Sequence, residues 1–220
     1  MAKYSCVVWD WNGTLLDDLD VCIDVMNRLL KKRNLPLLDI KRYRDIFGFP
    51  VRSYYDRLGF DFEKEPFEKL SLDFIAEYQK ASLYTKLNGD CIPVLEYIRR
   101  EGMKQVILSA SQQENLEEQV RHFKIRDYFD RLLGLDHCHA TSKTDIGKSW
   151  LAASGFDKKE VLLVGDTLHD YETAREIGCD CILISSGHQS EERVSGRGVP
   201  VIDSLREVQR LLMQEPSPIA

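Results

Sequence analysis

Six side chains carry the chemistry of this sequence: the carboxylates of Asp10, Asp166 and Asp170, the hydroxyls of Thr14 and Ser109, and the ammonium of Lys143. Asp10 closes the apolar run Cys6-Val7-Val8-Trp9, where Gly13 permits a tight turn and Thr14 offers a hydroxyl. A carboxylate at the C-terminal end of a strand in an open α/β sheet stands where such folds place ligands. There it can act as nucleophile, metal ligand or both. Ser109 ends the run Val106-Ile107-Leu108, and Lys143 lies at the start of a helical pattern. Asp166 and Asp170 follow Val161-Leu162-Leu163-Val164-Gly165. If these runs are neighbouring strands, the groups converge on one sheet edge.

The elements that must position them follow from hydrophobic spacing. Short apolar runs at 6–9, 105–109, 131–134, 161–165, 181–185 and, weakly, 199–202 predict buried parallel strands. Helical patterns at 90–101, 112–123, 144–154 and 170–177 separate them, with Gly102, Gly155 and Gly178 as stops. This alternation predicts βαβ units, an α/β fold with a Rossmann-like parallel sheet. Residues 17–83 break the rhythm: no strand is expected, and helices are expected near 19–34, 40–47, 51–58 and 66–83. The reading is a core of residues 1–16 and 85–220 with a small all-helical cap at 17–84, either a lid over the site or an extension packed away from it.

With 220 residues, 43% of them hydrophobic, the chain can fill one substantial core plus an accessory unit. Its net charge of -6 and scattered basic clusters argue against a nucleic-acid groove. The six cysteines show no paired metal-knuckle spacing, and Cys179-x-Cys181 reads as buried thiols in a strand. No apolar run is long enough to span a bilayer and no leader precedes Cys6. These features predict a reducing, cytoplasmic setting, no membrane or nucleic-acid partner, and a monomer or homodimer.

The ordered set Asp10-Trp11-Asn12-Gly13-Thr14, Ser109, Lys143 and Gly165-Asp166 with Asp170 resembles the haloacid dehalogenase superfamily over nearly the whole chain. It is most similar to the phosphoglycolate phosphatase-like branch, with a helical cap inserted after the first strand. The resemblance implies that Asp10 attacks phosphorus and forms an aspartyl-phosphate. It implies Mg²⁺ as cofactor, held by Asp10, the backbone carbonyl of Asn12, Asp166 and Asp170. Ser109 and Lys143 would bind the phosphoryl oxygens, loop amides near 11–13 would add donors, and Thr14 would fix the loop. Lys148 lies about one and a half turns beyond Lys143 and is expected to face solvent. In the cap, Gly48 and Arg52 fall in a segment that resembles the family's leaving-group contact. Arg52 is either an anion ligand or a solvated helix charge. Asp170 is either a helix cap or a metal ligand. His169 and His188 are read as bystanders, Trp9 and Trp11 as packing residues.

One position departs from the family pattern. Where related phosphatases carry a second Asp that protonates the leaving oxygen, this chain has Asn12, whose amide exchanges no proton at working pH. General acid–base catalysis contributes about 10²–10⁴-fold, so slow turnover of a small phosphorylated metabolite is expected. Three alternatives stay open: a phosphonoacetaldehyde hydrolase-like C–P hydrolase, which needs a cap lysine (Lys31, Lys32, Lys41, Lys64, Lys69 or Lys80); a degenerate phospho-ligand-binding module; and, ranked below the first, a haloacid dehalogenase, which uses the same nucleophile without the metal that Gly165-Asp166 and Asp170 look built to hold.

Overall fold

The computed structural model describes residues 3–136 and 142–213. Cys138 and the tail prolines therefore lie outside the described residues. Six parallel strands form the main sheet: β1 (Cys6–Trp9), β4 (Lys104–Gln112), β5 (Arg131–Leu135), β6 (Val161–Gly165), β7 (Asp180–Ile184) and β8 (Val201–Ile202), in the order β5-β4-β1-β6-β7-β8. The two faces of each strand feed different cores. Val7, Trp9, Ile107, Leu162 and Val164 pack on one side, whereas Cys6, Val8, Val106, Leu108 and Leu163 pack on the other. Burial on both faces explains why these strands read as unbroken apolar runs.

Helices α5 (Cys91–Arg100), α6 (Gln113–His122), α7 (Lys143–Ser154), α8 (Leu168–Ile177) and α10 (Leu205–Met213) cover the sheet. The chain runs from β1 outward through β4 to β5, then returns to place β6 on the other side of β1. The switch point therefore lies between β1 and β6, where a parallel sheet opens a crevice at its C-terminal edge. β4 runs three residues past Ser109, through an irregularity between Leu108 and Gln112. The short helix α9 (Glu191–Val194) and α10 have no counterpart in the sequence-based expectation.

Between β1 and β4 the chain makes the helices α1 (Leu19–Lys32), α2 (Ile40–Ile46), α3 (Val51–Leu58) and α4 (Phe67–Ser82), which share a core of their own. The expectation of no strand in this stretch needs one correction. Leu16–Asp17 (β2) pairs antiparallel with Lys86–Leu87 (β3), a ribbon too short to carry an alternating pattern. Among the described residues, no helix is long and apolar enough to cross a membrane.

Candidate active site

Asp10 and Asp166 stand at the tips of adjacent strands, and the Asp10 amide donates to Val164 O (2.8 Å), continuing the β1–β6 ladder. Gly13 has a φ of 73°, and a Cβ there would meet Asp166 Oδ2 at 2.4 Å. Only glycine lets the loop take the left-handed turn and lie this close to the carboxylate. Asp166 is fully buried; Thr14 Oγ1 donates to its Oδ1 (3.1 Å) and the His188 amide to its Oδ2 (2.6 Å).

Asp170 divides its two oxygens between the two jobs considered for it. Oδ2 accepts from the Thr167 amide (3.0 Å) and hydroxyl (2.6 Å), completing a reciprocal capping box on α8. Oδ1 faces the site and accepts from Lys143 Nζ (2.5 Å). Because Thr167 is the cap, α8 starts at Leu168, two residues before the sequence-based boundary. Lys143 begins α7 behind a Ser142–Asp145 capping box, and its Nζ also pairs with Asp10 Oδ1. Its side chain is 3% exposed, whereas Lys148 lies at the surface on Glu176 (2.6 Å). Ser109 is buried at the end of the Val106–Leu108 run, its Oγ accepting from the Ser111 amide (3.0 Å).

Asp10, Asp166 and Asp170 each offer an oxygen, all within 4.8 Å of one another. One ammonium thus faces three carboxylates in a buried cluster. Burial and the Asp170 charge push the Asp10 carboxyl well above the ordinary range, against the pull of Lys143. Burial also raises Asp166, to about 6, against the opposing charge of His188. At Asp170 burial acts upward too, but Lys143 and Thr167 outweigh it and hold the group down. Burial would lower Lys143, yet Asp10 and Asp170 keep it protonated and raised. Such a set of hard oxygens with excess negative charge fits a small divalent cation such as Mg²⁺.

Asn12 is clamped by its neighbours. Its Nδ2 donates to Asp18 Oδ2 (2.8 Å) and to the Tyr78 hydroxyl (2.6 Å), while its Oδ1 accepts from Ser111 Oγ (2.8 Å). Asp18 is fully buried and accepts also from the Gly13 amide (2.9 Å), Tyr78 (2.6 Å) and His188 Nε2 (3.2 Å). The Gly13 amide expected to serve as a phosphate donor is therefore already engaged. Burial disfavours both charges of the Asp18–His188 pair, but each stabilises the other. The carboxyl falls to about 2, and the imidazole rises to about 9.

Asp18, Ser111 and Tyr78 were not singled out by sequence reasoning, and His188 is not a rim bystander. It is 3% exposed and shares a hydrogen bond with the Tyr43 hydroxyl (2.8 Å). The only sequence hint was the carboxylate of Asp18 just ahead of α1, which looks like a cap but makes no cap bond. His169 does sit at the rim, stacked on Phe49 with ring centroids 4.4 Å apart. Trp9 and Trp11 are buried in the core, their indole nitrogens donating to Gln105 and Gln119.

A cavity of about 340 Å³ opens above Asp10, lined from the sheet edge by Asp10, Asn12, Ser109 and Lys143 and from the helices by Tyr43, Tyr54, Phe74 and Tyr78 among others. The helical segment thus packs over the sheet edge rather than away from it. Two expected contacts do not reach this cavity. Arg52 is turned outward over the Phe62 and Phe67 rings (4.5 and 5.5 Å), with Glu68 at 4.0 Å. Gly48 lines a smaller neighbouring cleft with Gln189 and Arg193. Lys31, Lys32, Lys41, Lys64, Lys69 and Lys80 are all exposed, so none is placed for a Schiff base at Asp10.

Residues 7–184 match the family model for haloacid dehalogenase-like hydrolases, and the chain belongs to that family. It is similar to the N-acetylmuramic acid 6-phosphate phosphatase of Pseudomonas putida, with 26% identity over 91% of this chain and 92% of that one. The phosphoglycolate phosphatase of Synechococcus elongatus is 21% identical over 86% and 87% of the two chains. Among solved structures, a haloacid dehalogenase-like hydrolase from Streptococcus pneumoniae superposes with a TM-score of 0.84 at 20% identity, covering 96% of this chain and 99% of that one. That likeness matches the six-stranded parallel sheet and its flanking helices.

Proposed function

We propose that this hydrolase is a Mg²⁺-dependent phosphatase acting on a small phosphomonoester through an aspartyl-phosphate on Asp10. The observation that carries the reading is the buried cluster of three carboxylates against one ammonium at the switch point of the sheet. The names of its relatives point the same way. Residues 17–84 serve as the cap, and residues 1–16 and 85–220 as the catalytic core.

Asp10, Asp166, Asp170 and the backbone carbonyl of Asn12 would hold the cation, which when bound offsets the repulsion between a carboxylate nucleophile and an anionic phosphoryl group. Asp10 supplies the attacking oxygen. Lys143 neutralises the phosphoryl oxygens on one side, and Ser109 donates to them on another. Thr14 and the His188 amide hold Asp166 in place. Water then hydrolyses the acyl phosphate, so the nucleophile is regenerated. Asn12 supplies no proton to the leaving oxygen; its amide instead orients the loop through Asp18 and Ser111.

Hydrolysis of acetyl phosphate by the protein with Mg²⁺, with EDTA, and as Asp10→Ala tests the reading. Mg²⁺-dependent turnover lost in Asp10→Ala is expected; equal rates in the two proteins would remove it. The occupied acid position also favours a second reading, a phospho-ligand-binding module without turnover. The same comparison separates the two.

A further inference from the structure

The cavity changes character with distance from Asp10. At the sheet edge it is charged, but on the helical side it is walled by Met26, Tyr43, Phe47, Phe67, Phe74 and Ile75. Among the described residues, the only lysine or arginine lining it is Lys143, already between Asp10 and Asp170. The polar atoms offered by the aromatic end are neutral. Tyr54 and Ser71 belong to this wall, and their hydroxyls are buried without a hydrogen-bond partner. A second carboxylate or phosphate on the substrate would be desolvated there with no free cation to meet it, since His188, which also borders the cavity, is paired with Asp18.

A separate observation concerns the leaving oxygen. Asn12 holds the position from which a proton would come, and its amide is committed to Asp18 and Tyr78. Transfer to Asp10 breaks the bond between phosphorus and the ester oxygen, and that oxygen must depart with the electron pair and take a proton from water afterwards. An aromatic hydroxyl, which ionises near pH 10 as tyrosine does, tolerates this far better than an alkyl alcohol.

Resting on the phosphatase reading, we propose that the substrate is the phosphate ester of an aromatic hydroxyl, its planar aryl group free of any further charge and seated among the cap aromatics. Apolar pockets with a few neutral polar groups bind such ligands.

The test compares kcat/KM with Mg²⁺ for phenyl phosphate, 1-naphthyl phosphate, acetyl phosphate and 2-phosphoglycolate, alongside calorimetric binding of benzylphosphonate and phosphonoacetate. Both aryl esters should exceed acetyl phosphate and 2-phosphoglycolate by at least about tenfold, and benzylphosphonate should bind at least about tenfold more tightly than phosphonoacetate. Acetyl phosphate is activated but small, so it separates leaving-group acidity from fit. Turnover of acetyl phosphate without an aryl preference, or tighter binding of phosphonoacetate, would overturn the inference and leave the phosphatase reading standing. No turnover of any ester beyond that of Asp10→Ala would overturn both. Ile75→Arg, which places a cation on the wall, should move the preference toward 2-phosphoglycolate; an unchanged preference in a folded variant counts against the inference.

Discussion

The sheet edge and the helical wall that faces it enclose one cavity by opposite means. At the sheet edge, every charged group is held by at least one partner: Lys143 by two carboxylates, Asp166 by Thr14 and the His188 amide, and Asp170 by its own helix cap. Across the cavity the helices present rings packed edge-to-face, such as Phe47 on Tyr54 at 5.3 Å, and leave hydroxyls unpaired. The first region is electrostatically over-determined and specifies a reaction. The second is shaped mainly by packing and specifies what fits.

The sharpest way to break this contrast is at the nucleophile. Asp10→Ala should lower turnover by about 10³-fold or more while thermal unfolding shows a folded protein, since burial and Asp170 already disfavour the Asp10 charge. Lys143→Met should act on stability. It strips the buried carboxylates of Asp10 and Asp170 of their common cation, at a cost of about 3–5 kcal/mol, and Mg²⁺ should raise its melting temperature more than it raises that of the wild type. Urea unfolding measures the first effect and thermal unfolding with and without Mg²⁺ the second.

Asn12→Asp tests whether the amide is a loss or a fit. A carboxylate there would set an oxygen against Asp18 in place of a donated hydrogen bond, so the variant should lose about 1–3 kcal/mol of stability. If it also supplies the missing proton, turnover should rise more on alkyl than on aryl phosphates; an equal change across a leaving-group series would reject that role. The smallest effect belongs to the helical region. Arg33 and Lys69 hold the half-buried Glu65 carboxyl down to about 2. Its contribution is therefore present above the usual value near 4.5 and fades as pH falls toward 2. For a solvent-screened cluster this amounts to under about 1 kcal/mol, read as a shallower acid loss of melting temperature in Glu65→Gln.

The two regions also differed in how far they could be read from the chain alone. Asp10, Ser109, Asp166 and Asp170 were legible because each ends or follows a strand buried on both faces, and the strand order brings those ends together. The core helices α5 to α8 were placed to within one or two residues for the same reason. Asp18 and His188 were not legible. They are 170 positions apart, and neither residue type nor spacing announces a buried pair. Arg52 shows the limit in the helices. Periodicity says that α3 has a buried side, yet whether a guanidinium beside that side turns inward or stacks on Phe62 depends on rings from the next segment. The wall of the cavity was hidden likewise, because a helical pattern marks which residues are buried and not which of them border an opening.

The antiparallel ribbon of β2 and β3 sets how the two regions are joined. Asp17 and Lys86 are register partners, and Asn88 donates to Leu15 O beside them (2.9 Å). Everything between these residues hangs from two anchor points about one strand spacing apart. A graft at this junction could exchange the whole helical cassette, and with it the choice of substrate, without asking the sheet to span a wider gap.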